Sequence, residues 1–315
     1  MSTGAIDPMR ELRALCDEHQ LWLRQTAKGE RAAFEIECSA GTYVRTLVSE
    51  GSHFDVASPA EIDLCLARGA SPASISYSNP IKKATDIAYA YSRGVRLFVS
   101  DSEQDVRFVA AHAPGSSVLV RILVHSKGST YPFGNKFGCD PEMAVEVLEH
   151  AHRAGLEAYG VSFHVGSQQH NIEAWDRALA STAAIFRGCA ERGIALAMVN
   201  LGGGFPAKYL RKTPKLESYG KAIFRALRRH FGNAIPETIV EPGRGLVGNA
   251  GLIEAEVVLI ARRSPEDEVR WVYLDIGKFH GLAETIGESI RYPIRTAKDR
   301  DEMAPCIIAG PTCDS

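Results

Sequence analysis

From residue 32 to 241 the sequence repeats one rhythm: a short apolar run rich in β-branched residues and bounded by Gly, Ser or Pro, then a longer stretch with helical periodicity. Eight such runs read as strands, at 32–38, 54–57, 75–78, 95–99, 118–124, 159–165, 195–201 and 238–241. Helices are expected between them at 59–68, 82–93, 102–112, 141–154, 172–192 and 216–231, the first behind Ser58 as N-cap. Strands that alternate with helices must cross over the sheet and run parallel. Eight repeats over about 210 residues predict an α/β fold of the (β/α)8 barrel type. A doubly wound sheet is the alternative, but no G-x-G-x-x-G follows the first strand.

After Arg244 the pattern changes to strand-like runs at 252–261 and 270–276, a loop rich in Arg, Asp and Glu, and a last run at 306–309. The expected division is an atypical N-terminal segment (1–47) that includes the first barrel strand, a barrel (48–248) and an incomplete C-terminal β domain (249–315). So few strands cannot bury a second core, and the chain reads as cut short.

Charge and cysteine usage narrow the partners. Thirty-six Lys and Arg against 38 Asp and Glu give a formal net charge of -2, without the basic field of a nucleic-acid binder, so a small-molecule partner is expected. No apolar run reaches the ~20 residues of a membrane span. Asp7 and Pro8 stand where a secretory signal needs an apolar core, so a cytoplasmic location is expected. Seven scattered cysteines without a C-x-x-C pair indicate neither a disulfide framework nor a metal site; most read as small buried hydrophobes.

In such a barrel the chemistry sits at the carboxyl ends of the strands. The sixth run ends in His164-Val165-Gly166-Ser167, the seventh in Gly202-Gly203-Gly204-Phe205-Pro206 and the eighth in Glu241-Pro242-Gly243-Arg244. Consecutive glycines let backbone N–H groups approach an anion closely, although a lone Gly triplet is more often a turn. Glu241 and Arg244 taken alone read as an exposed ion pair. Together these ends would assemble a phosphate pocket beside a carboxylate and an imidazole, a set suited to pyridoxal phosphate, with a flat side chain against one face of its ring.

These segments, with Phe54-Asp55-Val56-Ala57-Ser58 and Glu61, Asn135-Lys136-Phe137-Gly138 and Gly310-Pro311-Thr312-Cys313-Asp314-Ser315, resemble the alanine-racemase-fold decarboxylases of ornithine, lysine and related basic amino acids, which use pyridoxal 5′-phosphate. The likeness runs from about residue 48 to 315 and is greatest to the bacterial ornithine decarboxylases. It implies that His164 stacks on the cofactor ring, that Glu241 pairs with its pyridine nitrogen, and that Ser167, Gly203, Gly204, Gly243 and Arg244 hold its phosphate. Asp55, Glu61, Arg121 and Lys136 match supporting positions around the ring. Cys313 would be the proton donor to the substrate α-carbon, and Asp275 and Asp314 would contact the distal ammonium of the substrate. In the family these last groups reach the pocket from a partner subunit, so a homodimer with shared sites is implied, making a diamine for polyamine biosynthesis.

The chain departs from that family at three places. The family holds its cofactor through an imine on a lysine at the end of the first barrel strand, and Glu37 is the nearest equivalent here. Lys28 lies about nine residues early in a polar turn-like stretch, and Lys82 and Lys83 read as a surface pair at the N-terminus of a helix. Residues 34–47, with Cys38-Ser39-Ala40-Gly41-Thr42-Tyr43-Val44-Arg45-Thr46-Leu47, are instead similar to a motif of TruB-type tRNA pseudouridine synthases, which suggests a junction near 47–49. Relatives also continue past the Cys-Asp motif to a cofactor-contacting Tyr, and usually carry Tyr where Gly245 stands. Two functions follow: a decarboxylase of ornithine or lysine, or a decarboxylase-like partner that binds without catalysing.

Overall fold

The computed structural model describes residues 22–28, 31–37, 40–131 and 136–313. Strands β1 (Trp22–Lys28) and β2 (Arg31–Glu37) form an antiparallel hairpin in register from Trp22↔Glu37 to Lys28↔Arg31. There follow α1 (Ala40–Ser49), β3 (Phe54–Val56), α2 (Pro59–Ala67), β4 (Ile75–Tyr77), α3 (Ala84–Ser92), β5 (Leu97–Ser100), α4 (Glu103–His112), β6 (Ser117–Ile122) and β7 (Ser129–Tyr131). Next come α5 (Pro141–Arg153), β8 (Glu157–Phe163), β9 (Ser167–Gln169), α6 (Ala174–Glu191), β10 (Met198–Asn200), α7 (Leu216–Phe231), β11 (Glu237–Ile239) and α8 (Gly243–Val247). The chain closes with β12 (Val257–Ala261), β13 (Arg270–Leu274) and β14 (Cys306–Ala309).

Among the described residues seven strands share one sheet, in the order β11-β10-β8-β6-β5-β4-β3. The β3/β4, β4/β5, β5/β6 and β10/β11 pairs are parallel, as the strand–helix rhythm requires. The barrel-type α/β architecture and the separate trailing sheet are therefore present. The strand expected first in the barrel is the exception: residues 32–37 lie in β2 and pair with β1. The physical reason is legible afterwards in Phe34-Glu35-Ile36-Glu37, where polar and apolar residues alternate. Strands of a covered parallel sheet read as continuous apolar runs, whereas alternation suits a hairpin with one solvated face. Residues 34–47 fall across β2 and α1, with Cys38 and Ser39 outside the described residues. No helix among the described residues is long and apolar enough to cross a membrane.

The chain divides into two compact units. The first comprises Met1–Arg121, Gly138–Gly160 and Gly188–Leu196. Its core is built from Tyr77, Phe98, Val99, Val118, Leu119 and Val120, all at most 1% exposed. Helices α2, α4 and α5 begin on the side-chain caps Ser58, Ser102 and Asp140, which satisfy otherwise orphaned N–H groups. At α2 the Ser58 Oγ accepts the Glu61 N–H at 3.4 Å, and Glu61 Oε2 accepts the Ala57 N–H at 2.6 Å. Lys82 corrects the expectation of a surface pair. Its side chain is fully buried, and Nζ donates to Asp105 Oδ2 (2.6 Å), Val99 O (2.7 Å) and Asn79 O (3.0 Å). The turn before α3 folds Lys82 inward, because the Asp105 carboxylate, which also accepts from Ser100 Oγ, would otherwise lie buried without a counter-charge.

The second unit comprises Ile122–Phe137, Val161–Arg187 and Ala197–Ser315. Trp175 on α6, Tyr219 on α7 and Phe205 pack as an aromatic triangle with ring centroids 5.1, 5.7 and 5.9 Å apart. Short strands β7 and β9 pair antiparallel. Strands β12, β13 and β14 form a separate sheet, β12/β13 antiparallel and β13/β14 parallel. Val257, Val258, Leu259 and Ile260 are consecutive and each about half exposed, between 48% and 63%, so both faces of β12 are open to solvent. Beyond these strands two backbones touch: a Cβ added to Gly277 would lie 2.9 Å from Gly310 Cα.

Candidate functional site

The second unit brings the ends of β8, β10 and β11 together. His164 follows β8, and its Nδ1 accepts the Gly166 N–H at 3.0 Å. That bond requires a lone pair on Nδ1, so the neutral ring carries its proton on Nε2. The Gly166 backbone (φ 92°) turns the chain into β9, where Ser167, Gln168 and Gln169 are all buried.

The glycines after β10 are a cradle rather than a loose turn. A Cβ on Gly202 would lie 2.0 Å from the Phe163 carbonyl oxygen, and one on Gly203 would meet Glu241 O at 2.7 Å and His164 Nε2 at 2.9 Å. Gly204 has φ 100°, and its carbonyl accepts the Gln169 N–H at 2.9 Å. Behind the loop, Trp175 Nε1 donates to Leu201 O at 3.1 Å and the Tyr219 hydroxyl to Gln169 O at 2.7 Å, so the aromatic triangle holds both edges of the cradle. Burial pushes the Tyr219 phenol up to about 12.

Glu241 and Arg244 each engage a further partner of their own. Glu241 Oε1 accepts from Asn200 Nδ2 at 2.6 Å, and Asn200 Oδ1 accepts the Gly202 N–H at 2.9 Å. Asn200 is fully buried at the end of β10, and the Glu241 N–H returns to Gly202 O at 3.0 Å. Arg244, in the first turn of α8, donates from Nε to Ser167 Oγ at 2.9 Å, from Nη1 to the Tyr209 hydroxyl at 3.3 Å and from Nη2 to Glu284. Burial disfavours the guanidinium's charge, but the bonds to Glu284 and Tyr209 outweigh it and push the pKa of Arg244 up.

The residues present fit a phosphate-bearing aromatic ring. Gly203 carries no side chain where one would collide with His164 and Glu241, while Ser167 and Arg244 supply a hydroxyl and a fixed cation. Gly243 begins α8 with nothing within 4 Å of an added Cβ.

The other expected site residues are described by their own local contacts or fall outside the described residues. Asp55, on β3 in the first unit, is exposed and accepts from Ser76 Oγ at 3.4 Å. Arg121, on β6 of the same unit, takes the Cys139 N–H on its carbonyl at 2.9 Å. Glu61 serves the cap of α2, and Lys136 is exposed with Nζ 4.8 Å from the Phe137 ring centroid. Asp275 is exposed after β13, its Oδ1 accepting the Glu256 N–H at 2.9 Å. Cys313 is exposed, and Asp314 lies outside the described residues, as does Asn135. Three of the five cysteines described, Cys65, Cys139 and Cys189, are buried as expected.

Sequence reasoning passed over Asn200, Tyr209 and Glu284. Asn200 carried a signal of the same kind as His164, a polar residue closing an apolar barrel strand. Tyr209 and Glu284 lie in segments without periodicity and carried none.

Comparison with known proteins supports the same chemistry. Residues 12–248 match the family model of the pyridoxal-binding domain of pyridoxal-dependent decarboxylases. A lysine/ornithine decarboxylase of Selenomonas ruminantium is 32% identical over 270 residues, covering 85% of this chain and 67% of the relative. The crystal structure of an arginine decarboxylase from Paramecium bursaria Chlorella virus bound to agmatine superposes with a TM-score of 0.77 at 26% identity, over 87% of this chain and 74% of that one. Lysine decarboxylase from Selenomonas ruminantium in complex with PLP and cadaverine gives 0.73 at 30% identity, over 87% and 69%.

Proposed function

The chain belongs to the pyridoxal-dependent decarboxylases, with pyridoxal 5′-phosphate as cofactor, and from that membership we propose that it decarboxylates a basic amino acid, ornithine or lysine, to a diamine for polyamine biosynthesis. The observation that carries this reading is the joint built by Asn200, which ties Glu241 to the glycine cradle beside the Ser167–Arg244 pair.

When bound, the cofactor supplies a protonated ring that withdraws electrons from the substrate α-carbon. Each residue then has a bounded task. Ser167, Gly203, Gly204, Gly243 and Arg244 would hold the phosphate through backbone N–H groups, a hydroxyl and a cation. Glu241, oriented by Asn200, would keep a proton on the pyridine nitrogen, since a carboxylate beside it favours the charged ring. His164, with Nδ1 occupied by Gly166, would offer a flat neutral face to the ring. Asp55 and Arg121 are assigned supporting roles by their match to the family pattern, Cys313 the return of a proton to the α-carbon, and Asp275 and Asp314 the recognition of the distal ammonium. The last three would act across a homodimer, in a cytoplasmic enzyme with no nucleic-acid or membrane partner.

A second reading, a decarboxylase-like protein that binds without catalysing, is favoured by Glu37, the nearest equivalent in the sequence of the family's lysine. A carboxylate forms no imine. One experiment separates the two readings. The protein is mixed with pyridoxal phosphate, its absorbance is recorded, borohydride is added and the peptides are mapped by mass spectrometry. A reduced adduct on one lysine together with diamine formation from ornithine or lysine supports the enzyme. Saturable cofactor binding with neither adduct nor turnover supports the binding protein, and no binding at all rejects both.

A further inference from the structure

Resting on the reading of Ser167 and Arg244 as phosphate residues, we propose that Glu284 is a positioning residue: it fixes the Arg244 guanidinium, whose Nε in turn aims the Ser167 hydroxyl at the phosphate. An arginine side chain offers five N–H donors on a rigid planar fork and no acceptor. Three of them are engaged here, Nε by Ser167 Oγ, Nη1 by the Tyr209 hydroxyl and Nη2 by Glu284. Because the fork is planar, holding Nη1 and Nη2 decides where Nε points. A serine oxygen that accepts from Nε keeps its own proton to donate, so the contact makes Ser167 a donor toward an anion.

Glu284 is itself held. Its Oε2 accepts from the Tyr292 hydroxyl at 3.1 Å, and the Tyr292 ring meets the Tyr209 ring edge-on at 5.0 Å. The contacts close a circuit, Arg244 to Glu284 to Tyr292 to Tyr209 and back to Arg244. The ion pair is largely sheltered, with side-chain exposures of 22% for Arg244 and 33% for Glu284, so it is not the mobile surface pair whose geometry is lost in solvent.

Two effects of Glu284 on a bound phosphate oppose each other, and their balance makes the proposal testable. As a negative charge it repels the phosphate, so Coulomb's law alone has Glu284→Ala binding more tightly. As a positioning residue it keeps the Ser167 donor aimed, so Glu284→Ala binds more weakly. The full chain is titrated by calorimetry with pyridoxine 5′-phosphate and with pyridoxine, which differ only in the phosphate and carry no aldehyde. The ratio of the two affinities isolates what the phosphate contributes.

Wild type should prefer the phosphorylated form, and Glu284→Ala should cut that preference about tenfold, the size of one misaimed charge-assisted hydrogen bond, while pyridoxine affinity stays put. Glu284→Gln, which keeps an acceptor for Nη2, should restore the preference to at least the wild-type ratio. Ser167→Ala and Glu284→Ala should be strongly non-additive, since both break the same relay. An unchanged or raised preference in Glu284→Ala, equal losses for both ligands, additivity of the two substitutions, or a Gln variant below wild type each overturns the relay. A wild-type protein that does not discriminate between the ligands rejects the phosphate-site reading itself, and the two failures are thereby told apart.

Discussion

Asn200 donates to the Glu241 carboxylate at 2.6 Å while accepting the Gly202 N–H at 2.9 Å, so one buried amide joins the loops after two neighbouring strands. Replacing it by Leu keeps the volume but removes both bonds. The Gly202 N–H then loses its acceptor and Glu241 loses the bond from Asn200. Asn200→Leu should weaken pyridoxal phosphate binding about tenfold, since each such bond is worth about 1 kcal/mol or more. A fluorescence titration giving the wild-type affinity would remove Asn200 from the site.

The glycines of the cradle are not equivalent. Gly203→Ala places a methyl group 2.7 Å from Glu241 O and 2.9 Å from His164 Nε2, and neither neighbour is free to retreat. Gly243→Ala meets nothing within 4 Å at the start of α8. The first should reduce cofactor affinity by more than about tenfold. The second keeps the backbone N–H that would hold the phosphate and should lower affinity much less, and because its added methyl group meets no protein atom its stability should change little. Binding isotherms and urea melts on the two variants check this contrast, and equal affinity losses would contradict it.

The buried pair Lys82–Asp105 tests a different part of the chain. Burial pushes the Lys82 ammonium pKa down and the Asp105 carboxyl up, both against the charged forms. Lys82→Met strands the carboxylate and should cost about 3–5 kcal/mol. The double substitution Lys82→Met with Asp105→Leu removes the orphan and should recover most of that loss, as denaturant unfolding would show. A double variant as unstable as the single one would mean that the geometry, rather than the orphaned charge, sets the cost.

Alkaline pH should act through tyrosines. Burial pushes Tyr219 up to about 12, and burial with the nearby carboxylates of Asp86, Glu61 and Asp105 does the same for Tyr77. Above pH 10 the unfolded chain releases a phenolic proton that the folded chain retains, so stability falls as pH rises from 10 to 12. Two pKa units are worth at most about 2.7 kcal/mol per group. Unfolding free energies of wild type and Tyr219→Phe between pH 9 and 12 should converge as the wild type loses this contribution; parallel curves would refute the assignment.

The parallel strands were legible because covered strands leave continuous apolar runs, and His164, the glycine triplet and Arg244 because they terminate such runs. The partners of Arg244 were not legible. Glu284 lies 40 residues downstream of Arg244 in a segment without periodicity, and no local pattern encodes which carboxylate a guanidinium will meet. The hairpin was missed for the opposite reason. Its alternation is visible in the sequence, but the strand–helix repeat of the following residues points to an eighth barrel strand at the same place. The inward turn of Lys82 is not legible either, because helix propensity locates a residue along the chain and says nothing of the buried Asp105 that draws it inward.

The Gly277–Gly310 contact bears on the thiol at Cys313, three residues beyond. Two backbones pressed together act as a gauge block: their separation is set by hard atoms and does not drift when surrounding side chains are exchanged. Open faces such as that of β12 can therefore be rewritten freely without moving the point from which the thiol starts, whereas a single methyl group at either glycine resets it.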